Sequence, residues 1–248
     1  MTARPRPSRT LRRLHRWVVV VAVGLVLCTT LLVLLATSLT RMSPGWWRSV
    51  RADDPRTVEL AEAIENDLVN VMYKVRDEAK EPWSIGLRAA DANAWLNTRL
   101  GQWLTNRDDN FVWPTHVQNL QVEFDRGLIY VGVELVRDES SQVLSATLRP
   151  DFHDDGSLWV RAESVMIGRL PLPADWILKQ AESNWPDLLP AAALESPATR
   201  RLLDALAGRG PLAGDPVVEL GDGRRVRVLA MRSADSTLHL TLQTEFED

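Results

Sequence analysis

The chain of 248 residues has only one cysteine, Cys28, which lies in a long apolar run near the N-terminus. A single cysteine excludes an intramolecular disulfide, and the residues after it have neither a cysteine metal ligand nor a cysteine nucleophile. Stability must therefore come from a hydrophobic core. The roughly 200 residues that follow the apolar run are enough to bury one.

Acidic residues are absent from the first 52 positions. The arginines of this segment are Arg4, Arg6, Arg9, Arg12, Arg13, Arg16, Arg41, Arg48 and Arg51. The whole chain has 29 basic and 33 acidic residues, so the part after Ala52 has 20 basic against 33 acidic residues and a net charge of about −13. A body this acidic is a poor partner for nucleic acid. An anionic lipid surface also repels it unless it is tethered.

The tether is residues 17–39, which include no charged residue and exceed the roughly 20 apolar residues that cross a bilayer. Six arginines precede this run and three follow it, which favours a cytoplasmic N-terminus. Aromatic rings at Trp17 and at the pair Trp46–Trp47 suit the two membrane interfaces. We therefore expect a single-pass signal anchor in the cell membrane.

Four segments follow from this interpretation. They are a basic cytoplasmic tail at 1–16, a transmembrane helix at 17–39, a juxtamembrane linker at 40–52 and an extracytoplasmic α+β domain at 53–248. A cleaved signal peptide is the alternative, since Ala36 and Ser38 are small residues. The apolar run is, however, longer than the roughly 7–15 residues of a signal-peptide core.

Residues 53–80 have the pattern of one long amphipathic helix, in which Asp53 or Asp54 caps the start and Pro55 occupies the first turn. Its apolar residues recur at steps of three and four: Leu60, Ala61, Ile64, Leu68, Val71, Met72 and Val75. After a short strand at 83–89, a second helix is predicted at 90–104, with Asp91 as its N-cap.

From residue 117 the apolar residues alternate, and four runs of strand length follow at 117–125, 128–136, 142–152 and 158–168. Short polar joints separate these runs and predict hairpins. Consecutive hairpins make an antiparallel meander, and its apolar face needs helices as a cover. The predicted fold class is therefore α+β, an N-terminal transmembrane helix followed by an antiparallel β-meander covered by amphipathic helices.

The sequence "RLPLP" at 169–173 cannot continue a central strand, because proline donates no hydrogen bond to a ladder. It predicts an extended crossing segment that leads to a helix at 174–185, and a shorter helix follows at 196–208. Alternation then returns and predicts a closing hairpin. The runs concerned are 216–220, 224–233 and 236–247.

Three pieces of the chain follow one another in order: "AWLNTRL" at 94–100, the hairpins of 117–167, and "IGRLPLP" at 167–173. This order resembles the YpmS-like family of bacterial single-span membrane-anchored proteins. In that family one N-terminal span precedes a helix, a segment with a Leu-Asn pair, a β-meander, and a strand running into Gly, a basic residue and a Pro-containing link. The family is functionally uncharacterised, so the resemblance implies a fold and a topology but no catalytic residue.

One cluster of candidate metal ligands stands out in the sequence: Asp151, His153, Asp154 and Asp155. Oxygen and imidazole ligands this close can hold a divalent cation. The same Asp-Asp-Gly sequence between two strands is also what a hairpin turn requires. We expect the turn, with no metal and no other cofactor.

Motifs of nucleophilic catalysis and phosphate binding are missing from the sequence. It has no Gly-x-Ser-x-Gly, no Ser-x-x-Lys and no phosphate-binding Gly-rich loop. Paired acids such as Glu123 and Asp125 are usually solvated surface in an acidic chain. We therefore expect a protein that is not an enzyme, although a site assembled only in space would not show in the sequence.

Ten tryptophans supply large, rigid apolar surfaces. One hypothesis is therefore an envelope protein that binds a lipid or another apolar ligand between sheet and helices. The candidate lining residues are Trp95, Trp103, Trp113, Trp159 and Trp176, and an ordinary core position is the alternative for each. The second hypothesis is an envelope scaffold or assembly protein that acts through protein–protein contacts. Rings around a cavity favour the first hypothesis, and a contiguous exposed apolar patch favours the second.

Overall fold

The structure, a computed structural model, describes residues 9–76, 81–107, 111–137, 140–173 and 197–245. Within these residues the fold is α+β, with five helices and two antiparallel sheets. The fold class predicted from the sequence is therefore confirmed.

The described helices begin with α1, which is exposed from Gly24 to Leu35 and meets the rest of the protein at its C-terminal end. The other four are α2 at Pro55–Tyr73, α3 at Ala89–Thr98, α4 at Leu100–Arg107 and α5 at Pro197–Leu206. Helix α1 spans Arg9–Arg41, and its window Gly24–Arg41 is long and apolar enough to cross a membrane. Among the described helices it is the one that passes this test, as a single-pass membrane protein requires.

In the described part of the chain, nine strands build the two sheets. They are β1 at Trp83–Arg88, β2 at Val117–Asp125, β3 at Leu128–Arg137, β4 at Ser140–Phe152, β5 at Leu158–Ile167, β6 at Leu170–Leu172, β7 at Val217–Glu219, β8 at Arg225–Ala234 and β9 at Thr237–Glu245. Strands β2 to β6 follow one another in a five-stranded meander, and the second sheet has the order β1-β9-β8-β7. The predicted meander and closing hairpin are confirmed.

The tips of two hairpins join the sheets. The main-chain N–H of Gly127, in the β2–β3 turn, donates to the carbonyl of Ser233 at 2.8 Å, and the N–H of Ser236, in the β8–β9 turn, donates to the carbonyl of Phe124 at 2.9 Å. The Ser233 hydroxyl also donates to the carbonyl of Leu128 at 2.8 Å. Because the tips are fastened in this way, Phe124 shares one core with residues of the second sheet.

The five-stranded sheet has an apolar face and a largely polar face. Alternation in the observed register puts on the apolar face Leu120, Val122, Phe124, Ile129, Val131, Val133, Leu144, Ala146, Leu148, Val165 and Ile167. The opposite face aligns Gln121, Gly132 and Ser145 across β2, β3 and β4, and all three are buried. Buried polar side chains require a cover and hydrogen-bond partners, and the segment between α1 and α2 lies over them.

Helix α2 is shorter than the predicted helix at 53–80. Asp54 is its N-cap, with the carboxylate accepting a hydrogen bond from the first helical turn at 3.0 Å, and Pro55 begins the helix as predicted. Residues 74–76 are not helical. The Arg224 guanidinium donates to the carbonyl of Tyr73 at 2.9 Å and to the next carbonyl at 3.2 Å. An arginine from the β7–β8 turn thus satisfies the carbonyls that a helix end leaves free.

The helix predicted at 90–104 is two helices, α3 and α4, which break at Arg99. The prediction that Asp91 caps the first of them is wrong. The N-cap is Arg88, and Asp91 lies in the first turn, where its carboxylate accepts two hydrogen bonds from the Arg88 guanidinium at 2.7 and 2.8 Å. Negative charge is still favourable there, because the helix N-terminus carries partial positive charge.

The segment "RLPLP" is a short edge strand rather than a crossing segment. After a turn at Gly168–Arg169, strand β6 pairs with β5 in antiparallel register. Pro171 is tolerated because β6 is the last strand of the sheet, where a missing N–H breaks no central ladder. The helix predicted at 196–208 is α5, and the helix predicted at 174–185 lies outside the described residues.

Candidate functional site

Helix α3 lies along the free edge of β2, and two asparagines one helical turn apart hold it there. The N–H of Val122 donates to Asn93 Oδ1 at 2.7 Å, and Asn93 Nδ2 donates to the carbonyl of Val122 at 3.0 Å. Asn97 makes the same pair of bonds with Leu120. A sheet edge normally presents unpaired main-chain groups, and here the helix completes them. The edge therefore fixes how far α3 stands from the sheet.

An apolar groove lies between α2, α3, β1 and β2. Its volume is about 240 Å³, and it is lined by Ile64, Leu68, Leu87, Asp91, Ala92, Trp95, Leu96, Val122 and Phe124. Eight of these nine lining residues are apolar. A dry apolar cavity of roughly 150 Å³ is enough to hold benzene, so the groove has room for an apolar group of similar kind.

Asp91 is the charged residue of the groove lining, and its charge is paired. Both carboxylate oxygens accept hydrogen bonds from the Arg88 guanidinium. These bonds, and the carboxylate charge, also raise the pKa of Arg88 above its ordinary value. A carboxylate with both oxygens engaged has little capacity to bind a polar ligand. The groove therefore favours an apolar one.

The structure brings together two of the five tryptophans predicted to line a site. Trp95 lines the groove, and its ring contacts that of Trp103 edge-to-face, with 6.3 Å between centroids. Trp103 itself is 46% exposed and lies beneath the Arg107 guanidinium at 5.3 Å from the ring centroid. Trp103 therefore supports Trp95 from outside and does not enclose the groove.

The other three predicted tryptophans do not line this groove in the described part of the chain. Trp113 packs edge-to-face on Phe111 and donates its indole N–H to the carbonyl of Val117 at 3.1 Å. Trp159 stacks on His153, with ring centroids 4.8 Å apart. Trp176 lies outside the described residues.

Three residues of the candidate metal cluster, His153, Asp154 and Asp155, lie in the turn between β4 and β5, and Asp151 lies in β4. The N–H of Gly156 donates to the carbonyl of His153 at 2.9 Å, as the predicted turn requires. The Asp155 carboxylate accepts from the N–H and the hydroxyl of Ser157, at 2.9 and 2.6 Å. These hydrogen bonds hold the pKa of Asp155 below its ordinary value. In the described residues, no three His, Cys, Asp or Glu side chains are grouped so that they could hold a metal ion.

The sequence assigns most groove residues to the apolar faces of helices and strands, but among them only Trp95 was predicted to line a site. Ile64 and Leu68 belong to the apolar stripe of α2, while Val122 and Phe124 belong to the apolar face of β2. The signal that could have found the groove is the pair Asn93 and Asn97, one helical turn apart. Polar side chains on the buried face of a helix indicate that this face meets the main-chain groups of a sheet edge rather than the side chains of a sheet face.

The linker after α1 is packed on the polar face of the five-stranded sheet. Trp46 and Trp47, which the sequence pattern places at the membrane interface, lie instead over Gly132, where a β-carbon would come within 2.9 and 2.8 Å of the two rings. The Gln121 side chain, 2% exposed, accepts from the N–H of Arg48 at 3.0 Å and donates to its carbonyl. The linker is therefore a bound strap rather than a loose stalk.

Comparison with known proteins gives no relative: no family model, no curated protein and no solved structure matches this chain.

Proposed function

We propose that this protein is a membrane-anchored, non-enzymatic envelope protein that binds a lipid acyl chain, or a similar apolar ligand, in the groove between α2 and α3. The observation that carries the proposal is the lining of that groove, in which eight of nine residues are apolar and the remaining carboxylate is paired with Arg88. Apolar pockets with few polar groups suit lipid-like ligands.

The size of the groove favours a chain-like ligand over a bulky one. Its volume of about 240 Å³ lies just below the roughly 300–1,000 Å³ of typical ligand pockets. A single acyl chain can enter such a groove and leave its polar end in water. Each methylene removed from water stabilises the complex by about 0.8 kcal/mol, so a Kd of about 1 mM, roughly 4.1 kcal/mol, requires at least about five buried methylenes.

The proposed orientation puts the tail in the cytoplasm and the body in the envelope. Six arginines precede the apolar run and three follow it, which supports this direction of insertion. A body that stands on the membrane meets acyl chains at high local concentration. The acidic charge after Ala52 does not oppose this, because the tether holds the body at the surface.

Photo-crosslinking in the intact chain tests the proposal. The full-length protein is placed in lipid nanodiscs with a diazirine-bearing fatty acid, irradiated and digested, and the crosslinked peptides are identified by mass spectrometry. We expect crosslinks in the α2 peptide around Leu68 and in the α3 peptide around Trp95, besides those in α1. Crosslinks confined to α1 would show that the groove takes no acyl chain.

We further propose membership of the YpmS-like family, on the sequence pieces at 94–100 and 167–173. Two observations support it. Asn97, from the first piece, binds the β2 edge, and Gly168, from the second, forms the tight turn into β6. Both residues thus have structural tasks that a shared topology would retain. A profile built from YpmS-like sequences that aligns residues 94–100 elsewhere would overturn the assignment.

A further inference from the structure

The β5–β6 turn is bonded to the end of the membrane-spanning helix. The main-chain N–H of Arg169 donates to the carbonyl of Leu39 at 2.9 Å, and its guanidinium Nε donates to the carbonyl of Ser43 at 2.9 Å. Arg169 thus bonds the Leu39 carbonyl in the last turn of α1, where a helix leaves carbonyls without an intrahelical partner, and the Ser43 carbonyl two residues beyond the helix.

Gly168 brings the turn close enough for these bonds. It has φ of 59°, and a β-carbon there would come within 2.5 Å of the carbonyl oxygens of Leu39 and Thr40. Only glycine fits such a backbone-to-backbone contact. With the strap of Trp46 and Trp47 on the same sheet, the body meets α1 at a fixed joint.

This joint lies where the apolar run leaves the hydrocarbon layer. About 20 residues are needed to cross the hydrocarbon layer. A stretch of this length that begins at Trp17 ends at Ala36. In the structure α1 is exposed from Gly24 to Leu35, and Ala36, Leu39 and Thr40 are partly covered. From Ala36 to Arg41 the helix rises by about 7.5 Å, which is close to the depth of one headgroup layer.

The surface around the joint has the chemistry of a lipid interface. Arg41 and Arg169 are exposed there and carry positive charge, and Met42 is 43% exposed. On β6, Pro171 is exposed between two partly buried leucines. Residues at the membrane interface typically combine these two kinds of side chain: arginines contact the lipid phosphates, and neighbouring apolar side chains contact the acyl carbons.

We infer that the β5–β6 corner of the five-stranded sheet lies in the headgroup layer of the membrane that α1 crosses. The Gly168–Arg169 turn fixes the body there in one orientation, and phospholipid headgroups are the partner of this surface. The inference rests on α1 as a membrane span and on the joint. It does not depend on whether the groove binds a ligand.

Fluorescence quenching in nanodiscs tests this placement on the full chain. Cys28→Ala removes the native cysteine, and Pro171→Cys or Ala230→Cys introduces one exposed thiol on β6 or on β8 of the other sheet. Each thiol is labelled with an environment-sensitive dye, and the lipids carry a nitroxide on the headgroup. We expect quenching at position 171 to exceed quenching at 230 by roughly twofold or more, since only the first lies within the headgroup layer. Equal quenching at both positions overturns the inference.

A pair of glycine variants tests the joint itself. Gly168→Ala and Gly127→Ala share a positive φ, at 59° and 77°, but a β-carbon at Gly127 has no atom within 4 Å. The two variants therefore carry similar backbone strain and differ in the clash with α1. We expect quenching at position 171 to fall to the level at 230 in Gly168→Ala and to persist in Gly127→Ala. Persistence in both variants would show that the turn does not hold the body in place.

Discussion

Asn97 completes the hydrogen bonding of Leu120 at the edge of the five-stranded sheet: its Oδ1 accepts from the Leu120 N–H at 2.9 Å, and its Nδ2 donates to the Leu120 carbonyl at 2.7 Å. The side-chain amide thus takes the place of a neighbouring strand. Because α3 carries Trp95 and Leu96 into the groove, the same bonds set the width of the proposed binding site.

Asn97→Ala should destabilise the protein by about 1 kcal/mol or more, because it leaves two partly buried main-chain groups of Leu120 without this partner. Asn106→Ala is the matched control, since Asn106 is exposed on the neighbouring helix α4. Thermal unfolding followed by circular dichroism measures both. Equal melting temperatures for the two variants would mean that the edge bonds do not stabilise the fold.

Substituting alanine for each of two buried serines should have different effects on the free energy of unfolding. Ser233 is 1% exposed and donates to the carbonyl of Leu128 at 2.8 Å, whereas the hydroxyl of Ser145, 3% exposed, has no partner among the described residues. Ser233→Ala should cost about 0.5–1.5 kcal/mol. Ser145→Ala should be neutral or stabilising, because it removes a polar group that is buried without a bond. A Ser145→Ala loss as large as that of Ser233→Ala, in chemical denaturation, would contradict this account of the polar face.

Acidification should weaken the second sheet through Glu245. Arg227 donates to both carboxylate oxygens of Glu245, at 2.6 and 3.2 Å. The hydrogen bond from Arg227 is the main cause that lowers the pKa of Glu245 below its ordinary value of 4.5. A pKa lowered on folding contributes stability that is present above the ordinary pKa and is lost as pH falls through the folded value.

We therefore expect the melting temperature to fall as pH decreases from about 5 to 3. Glu245→Gln should make this fall shallower, because the substituted amide does not titrate. Glu219→Gln, at an exposed carboxylate on β7, serves as the control and should leave the slope unchanged. Parallel slopes for Glu245→Gln and the unmodified protein would exclude Glu245 as a source of the pH dependence.

Local patterns were enough to predict most of the elements of this fold. Alternation located the meander and the closing hairpin, because one face of each strand is buried, and Asp54–Pro55 located the start of α2. The ends of helices were harder. Helix α2 stops at Tyr73, and the carbonyls at its end are bound by Arg76 nearby and by Arg224, which is 151 residues away from Tyr73 in the chain. The residue pattern around the end of α2 cannot indicate a hydrogen-bond partner as distant as Arg224.

The candidate site was less predictable, because it depends on gaps between elements. Tryptophans were the sequence signal for a binding surface, yet in the described residues Trp95 is the one that lines the groove. Aliphatic residues supply most of the lining, and sequence cannot distinguish those that face a gap from those that face a partner. The position of Trp46 and Trp47 likewise depends on Gly132, which leaves space for them on β3.

Filling the groove tests the central claim most directly. Leu68 lines the groove, while its neighbour Val69 is 51% exposed on the same helix, so Leu68→Trp and Val69→Trp add the same side chain inside and outside the site. The measurement is the yield of diazirine fatty-acid crosslinks on the α3 peptide around Trp95 in nanodiscs. We predict a loss of roughly tenfold, equivalent to about 1.4 kcal/mol of binding, for Leu68→Trp and no change for Val69→Trp. Equal yields from the two variants would contradict acyl-chain binding in this groove.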